Sequence, residues 1–147
     1  MQPVSLSLLS SLLNNYPHTI DIIEFWKQIV ENEKPLAIIL FGSLAKREYT
    51  QYSDADILLI FENLPEDIRE RFLKIYKYSK GIVQPRSYTF EEIKKVIEEG
   101  NTFIIEALED GWILYDTGIA IILNQLVETT KQNLNLKRIK DGWIILS

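Results

Sequence analysis

The chain has 147 residues, 46% hydrophobic and 25% charged, with a net charge of -5 and a pI near 5.0, so it is expected to form one domain over residues 1–147, and its acidic balance without a basic stripe excludes broad binding to nucleic acid. Cysteine is absent, which excludes disulfides, thiolate metal sites and a cysteine nucleophile. Met1 to Leu6 carries no basic n-region and no apolar run reaches spanning length, so the expectation is a cytoplasmic chain with no membrane partner.

Ser5 to Asn14 and Thr19 to Glu31 have helical spacing on either side of Tyr16-Pro17, the second with an apolar face of Ile20, Ile23, Trp26 and Ile29. His18, the single histidine, precedes that helix and reads as a surface or capping residue. Leu36 to Phe41 is a continuous apolar run closed by Gly42, which fits a strand buried on both faces. Ile57 to Phe61 is a second such run, headed by Asp54-Ala55-Asp56. Tyr49 and Tyr52 lie between the two and are read as packing locally.

Pro65-Glu66-Asp67 opens a helix toward Tyr78, and Gly81 stops it. Ile82 to Tyr88 reads as a strand in which Pro85 demands an edge or a bulge. Thr89 then caps a helix, with Glu92 completing a capping box, and that helix ends near Gly100. Thr102 to Glu109 is a further helix, Trp112 to Tyr115 a short strand, and Ile119 to Leu134 a helix with one apolar face. Trp143 to Leu146 is a final strand or packs elsewhere. Trp112 and Trp143 fit either a core or a partner surface. Helices alternating with short strands give an α+β fold, a mixed central sheet covered by helices.

The chemistry concentrates between residues 35 and 90. Gly42 has no side chain to block a close approach, and Ser43 offers a hydroxyl and a backbone N–H where a helix begins, which suits a polyphosphate. Asp54 and Asp56 alternate to one side of their strand, roughly 6–7 Å apart along it. Carboxylates at the mouth of an apolar strand are costly without a counter-charge. A hard cation, magnesium or manganese, removes that conflict and takes the rest of its shell from water and phosphates. Strand, Gly-Ser, ten residues, Asp-x-Asp, strand is an ordered constellation that points to a nucleoside triphosphate.

The stretches Leu40 to Arg47 and Tyr52 to Leu59 resemble the signature of minimal nucleotidyltransferases, the MNT branch of the DNA polymerase β superfamily. A looser likeness runs through Tyr88 to Glu92 and Ala107 to Asp116. The resemblance implies a polymerase β palm-like fold. It also implies that Gly42 and Ser43 bind the triphosphate and that Asp54 and Asp56 ligate two magnesium ions. On this reading the chain transfers a nucleoside monophosphate, AMP from ATP, to a hydroxyl and releases pyrophosphate. Small members of the family often work beside a HEPN-type helical protein in toxin–antitoxin pairs, which implies a partner protein as acceptor; a homo-oligomer is left open.

Two departures from the family pattern stand out. Lys46-Arg47 replaces the usual Arg-Gly; Lys46 can still meet a phosphate as a point charge, whereas Arg47 implies either a different loop path or a helix that runs on. The second departure is the missing third carboxylate, whose expected place is taken by Gln84, an amide that cannot act as a base near neutral pH. Three options follow: catalysis with two carboxylates, catalysis on an activated acceptor, or a weakened antitoxin that retains nucleotide or protein binding. Arg86 is read as an ordinary surface cation.

Overall fold

A computed structural model describes residues 1–147. In chain order the elements are β1 (Gln2–Pro3), α1 (Leu6–Leu12), α2 (Thr19–Glu33), β2 (Ala37–Phe41), α3 (Ser43–Lys46), β3 (Ala55–Phe61), α4 (Ile68–Tyr76), β4 (Val83–Thr89), α5 (Phe90–Glu98), α6 (Thr102–Asp110), β5 (Trp112–Asp116), α7 (Ala120–Asn133), β6 (Leu136–Ile139) and β7 (Gly142–Ile145). Five strands form a mixed sheet in the order β1-β5-β2-β3-β4. β3 runs antiparallel to β2 and parallel to β4.

The two apolar runs occupy the middle of the sheet because every one of their side chains has a core to enter. Ile38, Leu40, Ile57 and Leu59 pack with Leu9, Leu13, Ile22, Phe25 and Ile29 of α1 and α2 on one face. Ile39, Phe41, Leu58 and Ile60 point the other way, against Ile93 and Ile97 of α5, Ile104, Ile105 and Leu108 of α6, and Leu123 and Val127 of α7. Full burial of each such Ile or Leu contributes about 1.5–3 kcal/mol relative to exposure. No helix is long and apolar enough to cross a membrane.

Local signals hold the helices where they start. Ser5 accepts from Leu8 N–H, Asp67 from Glu70 N–H and Asn101 from Ile104 N–H, three side-chain caps. The capping box of α5 forms, with Glu92 N–H donating to Thr89 Oγ1 at 3.1 Å and Thr89 N–H to Glu92 Oε1 at 2.8 Å. Pro85 lies in β4, the edge strand, where a missing N–H is tolerated.

Two expectations are corrected, and one left open is decided. The buried face of α2 is Ile22, Phe25 and Ile29, while Ile20 is 70% exposed. Ile20 and Ile29 are nine residues apart, about two and a half turns, which places them on opposite sides of an α-helix. Trp143 to Leu146, open between a final strand and packing elsewhere, contains β7, a strand that pairs with β6 in a separate antiparallel hairpin and not with the central sheet. Asp54 lies just before β3 rather than on it, because the ladder with β4 begins at the Ala55–Val83 pair.

Candidate functional site

The site gathers where β2 ends and β3 and β4 begin. Phe41 is in register with Asp56, and Asp56 with Gln84 on its other side. The chain leaves β2 through Gly42, whose φ of 73° and ψ of -150° belong to a region that only glycine enters freely. A Cβ at Gly42 would overlap Asp56 Oδ2 and come within 3.3 Å of Asp56 Cβ and Cγ. The turn and the second acid are therefore in direct apposition, and glycine is required there both for conformation and for space.

Ser43 is half-buried at the first position of α3. With only four residues α3 has a small dipole, so the N–H groups that a helix start leaves without an intrahelical partner and the Ser43 hydroxyl are what the turn offers an anion. Arg47 resolves the question of the loop path: it ends α3 at φ 59° and ψ 34°, the left-handed conformation that glycine would adopt without cost. The helix neither runs on nor departs from a glycine-like path.

Asp56 is half-buried, and burial pushes its carboxyl up; Arg86 opposes this and the neighbouring charge of Asp54 adds to it. Asp54 is exposed. Neither acid has a lysine, arginine or histidine at ion-pair distance, whereas Glu92, Glu106, Glu109 and Asp110 are all paired. Two like charges left without a cation fit a hard divalent ion whose remaining shell comes from water and phosphate. No group of three or more acidic or histidine side chains converges as a complete protein-built metal site. Gln84 stands level with Asp56 in the neighbouring strand.

Above Asp56, α6 forms one wall of a cleft of about 330 Å³ with Gly42, Lys46, Asp56 and Arg86; Asp54 and Ser43 do not line it. Phe103, Glu106, Ala107 and Asp110 face it at helical spacing. Lys46 Nζ donates to Glu106 Oε1 at 2.9 Å. That hydrogen bond is the first cause holding the Glu106 carboxyl below its ordinary range, against burial and with help from Trp143 and Arg138. Arg138 of the hairpin grips Asp110 with two hydrogen bonds, 2.8 and 2.7 Å, and reaches Glu106 at 3.0 Å.

Arg86 is exposed, as expected, but it is not a bystander. Its guanidinium lies 4.8 Å from the Phe103 ring centroid and borders the cleft. Alternation along β4 places it on the Asp56 side once the register is known, and that register is not written in the sequence. Tyr49 packs locally, edge-on to Tyr16 at 5.6 Å, whereas Tyr52 is 84% exposed and packs on nothing, a correction to its expected local role. His18 is a surface residue paired with Asp21 at 3.4 Å. Trp112 is core.

The fold belongs to the class of nucleotidyltransferase structures. It matches a candidate nucleotidyltransferase from Sulfolobus solfataricus with a TM-score of 0.51 at 20% identity, over 67% of this chain and 79% of that one. It also matches a chain of a toxin–antitoxin structure solved with AMP-PNP, TM-score 0.50 at 17% identity, over 79% of this chain and 91% of that one. The chain belongs to the nucleotidyltransferase domain family, whose model matches residues 22–114, more than half its length. A candidate protein adenylyltransferase from Methanocaldococcus jannaschii is 36% identical over 74 residues, 42% of this chain. The chain spans about half (50%) the length of that curated relative.

Proposed function

We propose that this protein transfers a nucleoside monophosphate, AMP from ATP, to a hydroxyl on a partner protein. The observation that carries the reading is the apposition of Gly42 and Asp56: the turn that opens α3 sits against an acid with no cation at ion-pair distance. The family supports transfer in general, and the name of the M. jannaschii relative supports AMP and a protein acceptor.

In this reaction the acceptor oxygen attacks the α-phosphorus, the bond from that phosphorus to the bridging oxygen breaks, and pyrophosphate leaves. Gly42, Ser43 and Lys46 hold the triphosphate, and Arg86 adds positive charge across the cleft. Asp54 and Asp56 would hold magnesium, two ions on the family's pattern, which would supply charge neutralisation at the phosphates. Gln84 cannot take the acceptor's proton, so that proton passes to solvent or to a base the acceptor brings. Lys46 must exchange Glu106 for a phosphate when substrate binds.

Gln84 also favours a second reading, a nucleotide-binding antitoxin whose transfer has weakened, and the toxin–antitoxin neighbour supports it. The pure protein is incubated with magnesium, ATP labelled on the α-phosphate and a candidate helical partner of the HEPN type. Label on the partner, lost in an Asp54→Asn, Asp56→Asn double variant, supports transfer. ATP binding without label supports the antitoxin, and absence of ATP binding overturns both.

A further inference from the structure

The two acids are held unequally. Asp56 lies inside β3 with a paired strand on each side. Asp54 stands outside the ladder, whose last tie is Ala55 N–H donating to Ile82 O at 3.0 Å. What remains to fix Asp54 is the loop before it. Within that loop Ser53 N–H donates to Thr50 O at 3.2 Å, and Thr50 N–H donates to Ser53 Oγ at 3.0 Å. From outside the loop, the Tyr16 hydroxyl donates to the Ser53 carbonyl oxygen.

That oxygen belongs to the peptide unit that joins Ser53 to Asp54. Peptide planarity means that anchoring the oxygen sets the plane from which the Asp54 Cα–Cβ bond departs. Tyr16 is itself immobilised: it is 4% exposed and meets Tyr49 and His18 edge-on at 5.6 and 5.5 Å. Its phenol is pushed up to about 12 by burial and then by the charges of Asp54, Asp21 and Asp56. The hydroxyl thus remains a donor across the physiological range and lies within electrostatic reach of both acids.

We propose that Tyr16 is a positioning residue which, through the Ser53 carbonyl, aims the Asp54 carboxylate at the cation shared with Asp56. The inference rests on the reading of those two acids as cation ligands. Loss of an outer partner of this kind typically weakens metal binding by about 10–100-fold.

The test titrates Mn²⁺ into the full chain with α,β-methylene ATP and reads free Mn²⁺ by electron paramagnetic resonance, so no turnover is needed. Tyr16→Phe keeps the ring and loses the donor; about tenfold weaker Mn²⁺ binding is expected. Replacing Tyr16 with 4-aminophenylalanine, whose amine can reach the same oxygen, restores it. Tyr49→Phe removes a hydroxyl from the same aromatic cluster and leaves Mn²⁺ affinity unchanged.

If Asp54→Asn weakens Mn²⁺ binding but Tyr16→Phe does not, the role of Tyr16 is overturned while the site assignment stands. If wild type and Asp54→Asn bind Mn²⁺ equally, the site assignment fails and takes this inference with it. Should Tyr16→Phe not fold, 4-aminophenylalanine against 4-methylphenylalanine at position 16 decides: equal affinities overturn the proposal, and a weaker 4-methyl variant supports it.

Discussion

Replacing Gly42 with alanine tests the turn on which the site is built. The native φ of 73° and ψ of -150° cost a residue with a Cβ about 1–3 kcal/mol. The new methyl would also meet Asp56, whose Cβ cannot retreat because β3 is paired on both sides there. Only the carboxylate can rotate away, so steric relief comes at the expense of its aim. Together the two effects should destabilise the fold by about 2–4 kcal/mol, and in a chain of this size that lowers the unfolding midpoint by roughly 5–15 °C. Urea and thermal unfolding measure the loss, and Mn²⁺–nucleotide titration measures the displaced carboxylate. A Gly42→Ala protein within about 1 kcal/mol of wild type that still bound Mn²⁺ normally would refute the geometry.

Arg47 makes the opposite prediction from the same turn: its left-handed backbone carries a cost that Arg47→Gly removes, for a net gain of about 0.5–1 kcal/mol in urea unfolding. A loss of stability there would show that the arginine side chain contributes more than its backbone costs. Gln84→Glu places an acid level with Asp56 and should raise the transfer rate at least about tenfold if proton removal limits it. A slower enzyme would show that the neutral amide is the working group. Glu106 and Asp110 are both held below their ordinary values of 4.5 and 3.8, so the stability they confer is present above those values and is lost as pH falls through the lower folded ones. Arg138→Met should therefore cost about 1 kcal/mol at pH 7, and its deficit relative to wild type should shrink as pH falls through the depressed folded values of Glu106 and Asp110; a deficit unchanged by acid would contradict the ion-pair account.

What was legible in the sequence was whatever depends on short-range pattern. The runs before Gly42 and after Asp56 became the two central strands because every residue in them is apolar. Thr89 and Glu92 announced their capping box, and Pro85 announced an edge or a bulge, of which the edge is found. What could not be read depends on register and on contacts between distant segments. Arg86 borders the cleft only because β4 pairs with β3 at Asp56–Gln84 rather than one residue along. Arg138 is committed to Asp110 and Glu106 about thirty residues earlier, a pairing that no local pattern around it announces. Tyr16 read as a separator between helices, and nothing near it in the chain points to a carbonyl 37 residues away.

The hairpin carries one more consequence. The Trp143 indole N–H donates to Glu106 Oε2 at 3.4 Å, while the other oxygen of that carboxylate holds Lys46. A phosphate that draws Lys46 away changes the charge felt beside the indole, and an indole's emission responds to such a change. On the proposed reading, the change in tryptophan emission when nucleotide is added, minus that of a Trp143→Phe variant, should report cleft occupancy without any label.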